Sequence, residues 1–386
     1  MTAPHTLAVL GLGRMGAALA KRLAGQGRDV VGWTRSGRAP DARVRTTGDP
    51  GAAVARAGVV ILSLFDGAAC RQVLDDVRDS LRTDTVVVNT STVSPAEAAE
   101  LADRFGPSYV HAPVLGSVPA VAAGSLRVLA AGAPEALDRV RTVLETLGTV
   151  RHFDDASTAA ALKLVANHSL AGAVLALRDS LRQGDALGLP RTQVLDVLEL
   201  GRLGALVAAK RPFLTGRAPA ESAEFTVDAL AKDMALLADA SHVPLRTDDA
   251  LTGVRGAPEA DIAVAAAGPA PGDGVLGPLH AYIRGHASGD PAHFREAFLP
   301  GAHVEGVRDG VFVSWTLDEY CSLFRGSPAP DEEIRSRRVD SVGVHGGVAN
   351  ATMTLRHGAD TFTDIFLLVR GDGGWRIANK AYHRHS

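Results

Sequence analysis

Leu7-Ala8-Val9-Leu10 is a short apolar run that breaks directly into Gly11-Leu12-Gly13-Arg14-Met15-Gly16, and an Ala-rich helical stretch follows to about Gly25. A strand opening through G-x-G-x-x-G into a helix tightly restricts what the chain can build, because each glycine serves one geometric purpose. Gly11 permits the tight turn, Gly13 lets phosphates approach the backbone, and Gly16 lets helix and strand pack closely. The helix start then offers free amides and a positive dipole end to a pyrophosphate. The segment reads as a dinucleotide site.

The next strand, Asp29 to Trp33, ends in Thr34-Arg35-Ser36. An NAD site usually carries an acid there to take the ribose hydroxyls. None is present. Arg35, flanked by two hydroxyl residues, suits a 2′-phosphate, which a guanidinium fork pairs well. NADPH (NADP) is therefore the expected cofactor over NAD.

A chain of 386 residues is too long for one ordinary domain. No run of about 18 apolar residues occurs, so no membrane-spanning helix is expected. The strand and fingerprint begin almost at once, which leaves no signal-peptide pattern. Cys70 and Cys321 stand far apart in no metal or redox spacing, and a reducing, cytoplasmic setting fits. A net charge of -3 gives no reason to expect nucleic acid or an anionic membrane as partner. The histidines form no ligand-spaced cluster, so no metal is expected.

Residues 1–156 alternate strands and helices, the pattern of a parallel sheet covered on both faces. From Ser157 to Leu187 the chain is one Ala/Leu-rich helical pattern without proline, stopped by Gly188-Leu189-Pro190. Further helical stretches carry this all-helical domain over 157–267. Residues 268–274 are a Gly/Pro linker. Beyond it, over 275–386, helices at Leu276–Ser288, Pro291–Phe298 and Leu317–Phe324 precede four strand-like runs, Arg338–Val344, Val348–Leu355, Thr361–Val369 and Trp375–Tyr382. That order suggests an α+β domain with a curved antiparallel sheet. The expected architecture is an α/β Rossmann domain, an all-α helical dimerisation domain and a C-terminal α+β cone-shaped domain.

Residues 5–267 resemble the β-hydroxyacid dehydrogenase family, which includes hydroxyisobutyrate dehydrogenases, glyoxylate/succinic-semialdehyde reductases and, more distantly, imine reductases. The resemblance rests on the fingerprint, Asn89-Thr90-Ser91-Thr92-Val93-Ser94-Pro95, His111-Ala112-Pro113-Val114-Leu115-Gly116-Ser117, Lys163-Leu164-Val165-Ala166-Asn167 and Lys232-Asp233-Met234, in the family's order and spacing. It implies that Lys163 is the acid/base residue and that Asn167 holds the substrate. Four residues apart on a helix, the two share a face. An ammonium and a carboxamide there can polarise a carbonyl and stabilise the developing alkoxide, although a surface lysine on an amphipathic helix would read the same. Ser91, Thr92, Gly116 and Ser117 look like substrate-anchoring loops, or else ordinary turns. Lys232 resembles the family lysine near the nicotinamide, and an ion pair with Asp228 would look identical. Asp179, about 160° round the helix from Lys163, lies off this face.

Three positions depart from the family. His111 replaces an aspartate, Leu115 replaces a carboxylate-binding serine, and the glycines usual before the lysine are absent from Ala156 to Leu162. Losing that hydroxyl weakens the case for a small hydroxy acid. A larger or less polar aldehyde, ketone or imine becomes easier to accept. Lys163 favours carbonyl over imine reduction, since an ammonium opposes an iminium. The sequence supports an NADPH-dependent carbonyl reductase with a small-molecule substrate that forms a homodimer. An imine reductase and a non-catalytic cofactor-binding scaffold stay open.

The segment from about Gly274 resembles SnoaL-like and lumazine-binding-like proteins of the nuclear transport factor two superfamily. The likeness lies in Phe298-Leu299-Pro300-Gly301-Ala302, Thr363 to Leu368 and Gly374 to Lys380. His303, Glu305, Trp315 and Asp364 are the polar candidates for the cone's lining.

Overall fold

The computed structural model describes residues 6–34, 40–219, 223–243, 245, 257–267, 274–308 and 311–385. These fall into two compact units, one of the described residues up to 245 together with 257–266, the other of 267–385. Arg35 and Ser36, and residues 268–273 of the expected linker, lie outside the described residues.

In the first unit, β1 (Thr6–Leu10) and α1 (Arg14–Gly25) are followed by β2 (Val30–Trp33), β3 (Arg45–Thr47), α2 (Pro50–Val54), β4 (Ala57–Leu62), α3 (Gly67–Val77), β5 (Val86–Asn89), α4 (Pro95–Phe105) and β6 (Tyr109–His111). Then come β7 (Val114–Leu115), α5 (Val118–Ala123), β8 (Leu126–Gly132), α6 (Pro134–Leu147) and β9 (Gly148–Phe153). Among the described residues, nine strands form one sheet ordered β3-β2-β1-β4-β5-β6-β8-β7, with β9 beside β8. Alternate residues of β1 serve opposite cores. Leu7 and Val9 pack with Leu19, Leu23 and Val140, while Ala8 and Leu10 pack with Leu74, Val77 and Leu101. That two-sided burial makes the parallel strands continuously apolar.

One part of the sheet is not parallel. β8 runs antiparallel to β6 and β7, because the connection from β6 spends its residues on β7 and the six-residue α5. Neither supplies the crossover helix that a parallel return requires.

The helical layer begins with α7 (Ala156–Ala186), whose start is fixed by Asp155 accepting the Thr158 amide at 2.8 Å. α8 (Arg191–Glu199), α9 (Gly204–Leu214), α10 (Val227–Ser241) and α11 (Ala263–Ala267) follow. Although the sequence holds no unbroken apolar run of about 18 residues, α7 is long and apolar enough by length and composition to cross a membrane. It also carries the buried polar side chains of Lys163 and Asn167.

The second unit contains α12 (Leu276–Ser288), α13 (Ala292–Ala297), β10 (Phe298–Arg308), β11 (Val311–Thr316), α14 (Leu317–Ser322), β12 (Ser336–His345), β13 (Val348–His357), β14 (Asp360–Gly371) and β15 (Gly374–His385). Its sheet runs β11-β10-β15-β14-β13-β12. The sheet has two strands more than the four expected, and β10 pairs with β15 in parallel, so it is not purely antiparallel. Pro300-Gly301 disguises β10 as a turn. The register shift between Phe298 and His303 accommodates that pair within the strand.

One core buries Phe298, Val304, Met353, Phe366 and Ile377 of the sheet with Leu279, Tyr282 and Phe294 of the helices. Of the four polar candidates only Asp364 sits deep in this core. Tyr282 Oη donates to it at 2.7 Å and Lys380 Nζ lies 2.8 Å away. His303 is exposed and bonds Ser314, Glu305 accepts from Asn379, and Trp315 stacks on Tyr382.

Candidate active site

A cavity of about 770 Å³ opens in the first unit, and most of the expected site residues line it. Gly13, Arg14, Met15 and Gly16 form one end; Ser91, Thr92, Gly116 and Ser117 come from loops after β5 and β7; Lys163, Asn167 and Lys232 come from α7 and α10. Gly11 and Leu12 shape the turn without lining the cavity. Gly11 has φ +95°, and the Leu12 side chain packs over Gly32. Thr34 follows the end of β2 and is also absent from the lining.

The glycine cradle fits a dinucleotide. A Cβ on Gly16 would stand 1.8 Å from the Gly11 carbonyl oxygen, whereas one on Gly13 would meet nothing within 4 Å. Gly16 is thus needed for packing, and Gly13 faces open space beside the start of α1. No side chain caps that start and its first turn holds no acid, which leaves amides free for phosphate.

Lys163 is buried, and Nζ donates to Asn167 Oδ1 at 3.0 Å. Asn167 Nδ2 in turn donates to Asp233 Oδ2 at 2.5 Å. Lysine can only donate and a carboxylate can only accept, so this chain fixes which way the Asn167 amide points. Burial holds the Lys163 ammonium down to about 8, opposed by the Asp233 charge and assisted by that of Lys232. A lysine so placed can exchange a proton near neutral pH.

Lys232 does not pair with Asp228. Its Nζ donates to the Thr92 carbonyl at 2.8 Å, forms an ion pair with Asp233 at 2.8 Å and lies 5.5 Å from the Phe65 ring centroid. This clamps the Thr92 loop onto α10, so the Thr92 backbone is committed to structure. Ser91 Oγ accepts the Leu64 amide at 2.9 Å, and its hydroxyl also hydrogen-bonds the Cys70 side chain. Ser117 Oγ donates to Glu224 Oε2 at 3.2 Å.

Asp233 and Glu224 were not singled out in the sequence. Asp233 lies beside Lys232 in a recognisable motif, whereas Glu224 follows an unpatterned loop and carries no signal. His111, at the family's aspartate position, is fully buried and held neutral by desolvation down to about 4. Its Nδ1 lies 3.4 Å from Tyr109 Oη, and it does not line the cavity.

The family model for the NAD binding domain of 6-phosphogluconate dehydrogenase matches residues 6–159, and a lumazine-binding family model matches residues 270–383. A "probable 3-hydroxyisobutyrate dehydrogenase" of Mycobacterium tuberculosis is 34% identical over 201 residues, covering 50% of this chain and 68% of that protein. The glyoxylate/succinic semialdehyde reductase 1 of Arabidopsis thaliana is 26% identical over 221 residues, 54% of this chain and 74% of its own length. A solved structure of the M. tuberculosis 3-hydroxyisobutyrate dehydrogenase with L-serine superposes with a TM-score of 0.59 at 26% identity, covering 68% of this chain and 98% of the other.

Proposed function

The chain belongs to the 3-hydroxyisobutyrate dehydrogenase family of NAD(P)-dependent oxidoreductases, carrying a C-terminal lumazine-binding-like domain, and from that premise we propose that it is an NADPH-dependent carbonyl reductase. The observation that carries this reading is the buried Lys163, hydrogen-bonded to Asn167 and held down to about 8 at the wall of the cavity.

The cofactor, when bound, supplies the hydride. Gly13, Arg14 and the free amides of α1 hold its phosphates. Thr34, Arg35 and Ser36, with no acid among them, support a 2′-phosphate and hence NADPH. Lys163 donates its proton to the carbonyl oxygen as negative charge develops there. Asn167 keeps the ammonium aimed at the cavity, and the Ser91 hydroxyl and the Gly116-Ser117 loop orient the substrate. Asp233 acts through Asn167 and is a positioning residue. Exposed Leu162 and Val165 on α7 give a second copy of the chain an apolar surface to cover, which supports a homodimer.

The test is NADPH oxidation by wild type and Lys163→Ala over aldehydes, keto acids and cyclic imines. Carbonyl turnover that falls about 100-fold or more in the variant supports the reading, on the scale of a lost general acid. Imine turnover that survives the substitution would replace it with an imine reductase. Tight NADPH binding with no turnover by wild type would point to a scaffold.

A further inference from the structure

Glu224 lines the same cavity as Lys163 and brings a carboxylate into it. Its Oε2 accepts from Ser117 Oγ at 3.2 Å and lies 3.7 Å from Lys210 Nζ. These are the groups, a hydroxyl and an ammonium, with which a pocket would grip the carboxylate of a hydroxy acid. Here the protein's own side chain engages them.

Lys210 has no charge to spare for a substrate anion. It is buried, and its Nζ sits 2.9 Å from Asp261 Oδ2, whose own side chain is fully buried. That same oxygen also receives the Glu224 amide at 3.0 Å, and Oδ1 receives the Ala263 amide at 2.9 Å. One ammonium thus faces two carboxylates, and the subsite carries net negative charge. The other cations of the cavity are engaged or exposed. Lys163 bonds Asn167, Lys232 bonds the Thr92 carbonyl and pairs with Asp233, Arg14 pairs with Glu259, and Arg202 lines the cavity as an exposed side chain.

Glu224 remains able to accept more. The hydrogen bonds described engage Oε2 alone, and its side chain is 25% exposed. A carboxylate offers about four lone-pair sites. A substrate carboxylate placed beside it would meet like charge, whereas a protonated amine would find a charge-assisted acceptor.

We propose that Glu224 determines specificity in this cavity, and that the carbonyl substrate carries an ammonium group, which Glu224 holds. This rests on the reductase reading for the chemistry, and on Glu224 for the substrate class.

The experiment compares three aldehydes of similar length on the NADPH-loaded full chain: 4-(dimethylamino)butanal, succinic semialdehyde and the uncharged pentanal. The tertiary amine cannot cyclise to a neutral imine and keeps one N–H donor. In wild type, kcat/KM for the amine aldehyde should exceed that for the acid by about tenfold or more. The isosteric Glu224→Gln should shrink that ratio by about 10- to 100-fold, the scale of one charged hydrogen bond. In parallel, binding of N,N-dimethylpropylammonium and of butanoate to the NADPH-saturated protein is measured by calorimetry. Ammonium binding that weakens in Glu224→Gln supports the proposal.

Wild type that prefers the acid, a ratio unmoved by Glu224→Gln, or butanoate bound more tightly than the ammonium would each overturn it. If none of the aldehydes turns over, pentanal included, the reductase reading fails while calorimetry still judges Glu224. If Glu224→Gln does not fold, the wild-type ratio decides.

Discussion

Lys163 Nζ and Asn167 Oδ1 stand 3.0 Å apart, one helical turn from each other on α7, with both side chains buried. The pairing directs the ammonium into the cavity, and its burial keeps the lysine down to about 8. For reduction the lysine must carry its proton. Reductive kcat/KM should therefore be flat below about pH 8 and fall about tenfold per pH unit above it, while alcohol oxidation shows the opposite limb. The sign for stability follows from the same depression. The folded state disfavours the charged lysine, so Lys163 costs stability below about pH 8, and that cost fades as pH rises toward the ordinary value of 10.5. Lys163→Met should lose the pH limb, and its melting temperature relative to wild type should be more favourable at pH 7 than at pH 10. A reductive profile with no limb near 8 would exclude Lys163 as the acid.

Asp233 acts on this pair from the far side of Asn167. Its charge raises the Lys163 value against the effect of burial, so removing the charge should lower it. Asp233→Asn keeps an acceptor oxygen for the Asn167 amide and deletes the charge, and with it the ion pair to Lys232. The reductive limb should move to lower pH in this variant, with a smaller change in the pH-independent plateau. Asp233→Ala also removes the acceptor and should lower the plateau further. A limb that stays in place in Asp233→Asn would show that Asp233 only packs.

Gly13 and Gly16 separate cofactor binding from folding. A Cβ at Gly16 collides with backbone at 1.8 Å, so Gly16→Ala should lower the melting temperature and the yield of folded protein. At Gly13 the same atom meets nothing within 4 Å. Gly13→Ala should fold with an unchanged melting temperature and bind NADPH at least about tenfold more weakly, read by nucleotide fluorescence. Equal loss of stability in both would contradict the open space at Gly13.

These residues also mark what was legible in the sequence. The G-x-G-x-x-G run could be read because each glycine answers a local steric demand within one turn, and Lys163 with Asn167 because helical spacing alone brings them together. Glu224 and Lys210 could not be read. They meet Ser117 and Asp261 across more than 35 residues of intervening chain, and no periodicity announces such a contact. β10 was hidden for another reason: Pro300-Gly301 is a turn signal that the sheet accommodates where the register shifts. The Lys380–Asp364 pair was missed in part, since a lysine near a chain end reads as solvated until the register of β14 and β15 places it over Tyr282.

Cofactor choice turns on Arg35, which follows Thr34 at the end of β2. If its guanidinium pairs with the 2′-phosphate, Arg35→Ala should lower kcat/KM for NADPH by about tenfold or more and leave NADH nearly unchanged. Steady-state rates with both nucleotides measure this directly. A wild-type preference for NADH, or an equal loss with both, would move the cofactor assignment to NAD.

In the C-terminal domain the buried Lys380 and Asp364 are held together by Tyr282, whose hydroxyl donates to Asp364 and accepts from Lys380 at 2.6 Å. Burial lowers the lysine's pKa, and the neighbouring carboxylate opposes that. Removing one partner strands the other charge among Phe298, Phe366 and Tyr320, at a cost of about 3–5 kcal/mol. Replacing both by apolar side chains removes the stranded charge. Lys380→Met should therefore destabilise this domain strongly, and Lys380→Met/Asp364→Leu should recover most of the loss. Hydrogen exchange of peptides from β14 and β15 in the full chain reports the local opening free energy for each variant. If the double variant opens as readily as the single one, the pair is a net stabiliser in its own right, and its strength comes from the tyrosine-bridged geometry more than from avoiding an unpaired charge.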